Sequence, residues 1–100
     1  MMKTLDEIKN VLREDKKYLK ETYGVLDLQI FGSYARGEQT EDSDVDLLVT
    51  FSRPLGGFAF IDLADELEQI LGMKVDLLTL PMITHNKYLY GEIKKDLQHV

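Results

Sequence analysis

The sequence predicts an α+β fold, a mixed α/β layer in which a small, mostly antiparallel or mixed sheet is covered by helices on one face. Three observations predict it. Apolar residues recur at helical spacing in three stretches, short apolar runs suited to strands lie between them, and Gly or Pro marks most of the junctions. The resulting order is helix, strand, turn, strand, helix, strand, helix. One hundred residues make one small domain, spanning 1–100, with no room for a second, so any accessory domain must come from another chain.

Thr4 followed by Glu7 is a capping-box pattern, and Leu5, Ile8, Leu12 and Leu19, with Val11 and Tyr18 beside them, predict an amphipathic helix to about Thr22, stopped at Gly24. Its polar face carries Lys9, Arg13, Lys16, Lys17 and Lys20 among acids. That is a solvated surface on the simpler reading and a basic contact to a partner on the other. Val25 to Phe31 alternates as a strand, with Leu26, Leu28 and Ile30 on one face. Tyr34 to Gly37 predicts a short helical turn, and Glu38 to Ser43 a polar loop.

Val45 to Phe51 is the second strand. Ser52 to Gly57, with Pro54 and a Gly pair, is a flexible connection. Phe60, Leu63, Ala64, Leu67, Ile70 and Leu71 then recur at helical spacing, with Gly72 as the stop. Lys74 to Thr79 is the third strand. Pro81 breaks the chain, and Ile83 to Leu97 predicts a terminal helix with Leu89, Ile93 and Leu97 on one face. His85 and His99 lack companions at metal-ligand spacing and read as surface residues.

The chemistry gathers between Gly32 and Val49. Gly32 and Ser33 end the first strand at a residue without a Cβ, so a helix can open at once, presenting backbone N–H groups and a hydroxyl that attract phosphate oxygens. Asp44 and Asp46 stand two apart at the start of the second strand, so both carboxylates project from one face while Val45, Leu47 and Val49 pack on the other. Paired carboxylates repel unless a cation sits between them, and oxygen ligands of this kind suit Mg²⁺ together with the oxygens of a bound phosphate. Phosphate cradle and metal pair together describe a triphosphate site. Arg36, planar and always charged, suits a phosphate, although pairing with Glu38 or Glu41 is its plain alternative. Asp76 is a lone carboxylate in an apolar strand, so it must reach water or a cation.

Gly32-Ser33, ten intervening residues, and then Asp44-Val45-Asp46 resembles the signature of the DNA polymerase β nucleotidyltransferase superfamily. GSYARGE followed by SDVDLLV resembles more closely the minimal nucleotidyltransferases, the antitoxin partners of HEPN-domain toxins, and the likeness covers nearly the whole chain. The resemblance implies the nucleotidyltransferase fold. It also implies an Mg²⁺-dependent transfer of AMP from ATP, with one or two metal ions, to a tyrosine hydroxyl on a HEPN toxin, which the transfer silences. Asp76, in its KVDLLT context, matches the family's third acid, a metal ligand with Asp44 and Asp46 and the general base for the acceptor hydroxyl. Gly32, Ser33 and Arg36 would hold the nucleotide. The family's second arginine is replaced here by Tyr34, which either packs or stacks on a base.

Two alternatives stand beside this reading: an antitoxin that neutralises its partner by binding alone, and nucleotidyl transfer to a small-molecule hydroxyl. Charge bears on the choice of substrate. Lys and Arg number 12 against 18 Asp and Glu, a net of −6, which leaves little of the basic footprint that tracks a nucleic-acid polymer. No stretch approaches the ~20 apolar residues of a membrane helix, the first ten residues lack a signal-peptide core, and there is no cysteine. A soluble, cytoplasmic protein in a hetero-oligomer is expected.

Overall fold

The computed structural model describes residues 3–100. Helix α1 (Leu5–Glu14) starts at the predicted capping box: Thr4 Oγ1 accepts from the Glu7 N–H at 3.2 Å, and Glu7 Oε1 accepts from the Thr4 N–H at 3.0 Å. The predicted single helix is two. It ends at Asp15, and α2 (Lys16–Tyr23) follows. Arg13 to Lys17 supplies no apolar side chain to hold a helix interior against the core, and Asp competes with the helical backbone, so the chain bends there. Gly24, at φ 75°, closes α2 in the left-handed region as expected.

Four strands form one sheet in the order β3-β2-β1-β4: β1 (Val25–Phe31), β2 (Val45–Phe51), β3 (Val75–Thr79) and β4 (Gln98–His99). β1 runs antiparallel to β2 and to β4, whereas β2 and β3 are parallel. The parallel pair needs a crossover, and α4 (Gly57–Leu71) supplies it before Gly72 stops the helix at φ 69°. A short α3 (Ser33–Arg36) lies between β1 and β2.

The main core forms where α1, α2 and α4 cover one face of the sheet. Ile8, Leu12, Leu19, Leu63 and Leu67 are fully buried against Ile30, Val45, Leu47 and Val49. The alternation read from β2 is therefore correct in phase, and the fold class is as predicted. The opposite face is not bare. Phe31 and Leu48 pack there with Ile83 and Ile93, joined by Leu78, Tyr90 and Leu97. This second cluster holds the C-terminal segment, which differs from the predicted single helix. Pro81 stands in the first turn of α5 (Leu80–Thr84), where a missing N–H costs nothing, and Asn86 then caps α6 (Lys87–Lys94) by accepting the Leu89 N–H at 3.1 Å. The chain returns as β4 at the β1 edge, a strand that no alternation in the last residues signals. Among the described residues, no helix is long and apolar enough to cross a membrane.

Candidate active site

The second cluster covers the middle of the sheet and leaves free the end at which β2 and β3 begin. Three backbone positions meet there. Phe31, the last residue of β1, is the Cα partner of Asp46, and Asp46 is the Cα partner of Asp76 across the parallel ladder. Partners in register on neighbouring strands point to the same face, so the two carboxylates stand side by side.

Gly32 follows Phe31 with φ 76° and ψ −154°, a conformation open to glycine alone. Space adds a second reason. A Cβ at Gly32 would overlap Oδ2 of Asp46 and lie 3.1 Å from its Cγ. The turn and the acid pair are thus one assembly, with backbone pressed against a carboxylate. Ser33 opens α3; helix geometry leaves its N–H and those of Tyr34 and Ala35 without acceptors inside the turn, while Arg36 N–H donates to Gly32 O at 3.2 Å. Gly37, at φ 71°, ends the turn, and Glu38 N–H donates to Ser33 O at 2.9 Å.

Asp44 reaches the site from the loop. Thr40 N–H donates to Ser43 Oγ at 2.9 Å and Ser43 N–H to Thr40 O at 3.1 Å, a closed turn that delivers Asp44 to the mouth of β2. Asp44 is exposed, Asp76 is exposed and Asp46 is partly buried. Burial pushes the Asp46 carboxyl up to about 6, the charges of Asp76 and Asp44 push the same way, and Arg36 opposes them. Among the described residues, no three His, Asp or Glu side chains form a ready-made metal-holding group. The donor set is instead a crowded carboxylate pair with a third acid nearby. That fits Mg²⁺, which takes one or two carboxylates and completes its shell with substrate phosphate oxygens.

The remaining predicted residues divide. Arg36 lies beside the site, but its guanidinium is paired: Nη1 donates to Asp96 Oδ2 at 2.6 Å and Nε stands 3.5 Å from Glu38 Oε1. Glu38 was one of the two partners weighed from the sequence. Asp96 was not, and a separation of sixty positions gave no local signal for it. Tyr34 is only 3% exposed and packs in the main core, which settles it as a packing residue and not a platform for a base. His85 and His99 are exposed, as expected. A separate groove of about 690 Å³ runs along Phe51, Pro54, Leu55, Phe60, Leu80 and Met82 at the far end of β2 and β3. It holds none of the acids; a second hollow, of about 410 Å³, lies at the acid end and is lined by Asp44 together with Ser43, Gly72 and Lys74.

Residues 12–100 match the family model of the nucleotidyltransferase domain. The chain belongs to that family and is an enzyme of the nucleotidyltransferase class. It is 50% identical over 101 residues to a Methanocaldococcus jannaschii protein named "Putative protein adenylyltransferase", with 99% of this chain and 100% of the relative covered. It is 49% identical over 77 residues to protein adenylyltransferase MntA of Thermococcus cleftensis, covering 77% of this chain and 78% of that one. The crystal structure of a toxin-antitoxin with AMP-PNP superposes with a TM-score of 0.70 at 26% identity, over 91% of this chain and 70% of that chain.

Proposed function

We propose that residues 1–100 form one minimal domain that transfers AMP from ATP to a hydroxyl of a partner protein, a tyrosine of a HEPN-domain toxin, and so acts as its antitoxin. The observation that carries this reading is the Gly32 turn pressed against Asp46, with Asp76 in register beside it. Gly32 and Ser33 hold the outer phosphates through backbone N–H groups and the Ser33 hydroxyl, and Arg36 adds its charge at the rim. Asp44, Asp46 and Asp76 would hold one or two Mg²⁺ ions. When bound, Mg²⁺ neutralises charge on the attacking and leaving oxygens. Asp76, exposed and next to Asp46, accepts the proton of the acceptor hydroxyl; the freed oxygen forms a bond to the α-phosphorus, the bond from that phosphorus to its bridging oxygen breaks, and pyrophosphate leaves with the electron pair.

Similarity to proteins named for protein adenylylation, over nearly the whole of one relative and about three quarters of another, supports the class of acceptor, as does the toxin-antitoxin structure with AMP-PNP. The likeness to minimal nucleotidyltransferases supports the tyrosine and the HEPN partner. A cytoplasmic setting, where ATP is abundant, goes with the same reading. The test is to incubate the chain with ATP, Mg²⁺ and the cognate partner and to measure the partner's intact mass. The partner gains the mass of one or more AMP units, and the gain disappears with Asp44→Asn plus Asp46→Asn. An unmodified partner sinks the proposal. Neutralisation of the partner that survives in the folded double variant would instead leave binding alone as the mode of action.

A further inference from the structure

Arg36 approaches the site from α3, yet the shortest bond its guanidinium makes is to the other end of the chain, to Asp96 at 2.6 Å. Asp96 is not a loose surface acid. Its side chain is 20% exposed, against 65% for Glu38, the other partner of Arg36. Its own N–H donates to Ile93 O at 3.1 Å, and Ile93 and Leu97, on either side of it, pack in the second cluster. One residue beyond Leu97, Gln98 pairs with Ile30 of β1. The carboxylate is therefore mounted on backbone fixed at both ends, whereas Arg36 stands on a helix of four residues.

We propose that Asp96 is a positioning residue for nucleotide binding: it clamps Nη1 of Arg36 so that the guanidinium stays at the rim of the Gly32–Asp46–Asp76 site with its other N–H groups ready for a phosphate. The inference rests on the transferase reading above. A guanidinium carries five donors in a rigid fork, so one bond to Asp96 fixes its plane and leaves the rest of the fork to a ligand. Glu38, exposed and 3.5 Å away, is the weaker partner and the one an incoming phosphate displaces. Ordering a long side chain before the ligand arrives removes that cost from binding.

The experiment is titration of AMP-PNP with Mg²⁺ into the full chain and its Asp96→Ala, Asp96→Asn, Arg36→Ala and Arg36→Ala plus Asp96→Ala forms, with thermal melts of each. Asp96→Ala weakens binding by about fivefold to tenfold, Arg36→Ala weakens it further, and the double variant binds no worse than Arg36→Ala alone. In the transfer assay Asp96→Ala raises KM for ATP more than it lowers kcat. Should the alanine form melt, Asp96→Asn keeps the shape and carries the comparison. The proposal is overturned if the Asp96 variants bind as the parent does, bind more tightly, or lose the same factor with and without Arg36. A folded parent chain that binds no AMP-PNP overturns the transferase reading as well. Binding by the parent with indifferent Asp96 variants overturns this inference alone.

Discussion

Asp46 and Asp76 are Cα partners across the one parallel ladder of the sheet, and Asp46 is half-buried where the two meet. Like charges on adjacent strands work against the fold wherever both are ionised, so this pair is a source of strain that a bound cation would relieve.

The first consequence is a pH dependence. The Asp46 carboxyl is raised in the folded chain to about 6 from its ordinary value of 3.8, so the folded state holds the proton more tightly than the unfolded one. Its contribution to stability is fully present below about pH 4 and is lost as the pH rises through about 6. Asp46→Asn should therefore be more stable than the parent at pH 8, by about 1 kcal/mol after allowance for solvent screening, with the gap closing by pH 4. Thermal melts of both proteins across that range measure it, and an equal gap at pH 4 and pH 8 contradicts it.

Addition of Mg²⁺ should act on the same strain. At pH 8 and low salt, millimolar Mg²⁺ with AMP-PNP raises the melting temperature of the parent chain, because a ligand that binds only the folded state stabilises it. Asp46→Asn plus Asp76→Asn loses most of that rise, and a chelator abolishes it in the parent. Retention of the full rise by the double variant would remove these two side chains from the metal site.

Gly32 tolerates no side chain, for two separate reasons. Gly32→Ala forces an L-residue to φ 76° and drives its Cβ into Asp46. Together these should cost about 2 kcal/mol or more, read as a lower midpoint in urea unfolding, and transfer should fall further than stability does because the Asp46 carboxylate is displaced. Gly37→Ala serves as a partial control: its left-handed φ of 71° and ψ of 22° are unfavourable for alanine, though less so than the Gly32 angles, and nothing lies within 4 Å of its would-be Cβ, so it costs stability without moving an acid.

Away from the site, Glu66 on α4 accepts from the hydroxyls of Tyr18 and Tyr23 on α2, each at 2.5 Å. These bonds tie the two helices at the rim of the main core, and the one from Tyr23 pushes that phenol up to about 12. Tyr23→Phe should cost about 1 kcal/mol in urea unfolding and leave AMP transfer unchanged. Loss of transfer at constant stability would mean that α2 takes part in the reaction.

Features set by neighbours in sequence were legible, and features set by neighbours in space were not. The Thr4–Glu7 capping box and the stops at Gly24, Gly37 and Gly72 are local, so residue type and spacing identified them. The phase of β2 was readable because Val45, Leu47 and Val49 alternate with Asp46. The break at Asp15 was hidden because Leu12 and Leu19 keep a helical period across it. Asn86 hid the division between α5 and α6 in the same way, since Ile83, Leu89, Ile93 and Leu97 look continuous. The approach of Asp96 to Arg36 depends on how the last segment folds back over Leu48 and Phe31. No pattern near either residue encodes that, which is why the pairing partners read from the sequence were only the nearby glutamates.

The parallel ladder that carries both aspartates has a further meaning for motion. Catalytic groups mounted on loops can rearrange while a sheet stays intact. Here, opening the Asp46–Asp76 pair requires breaking the ladder that joins β2 to the edge strand β3. The amides from Val45 to Val49 should exchange with deuterium only through whole-molecule unfolding, while those of Glu38 to Ser43 exchange early, so the loop breathes around a scaffold that does not.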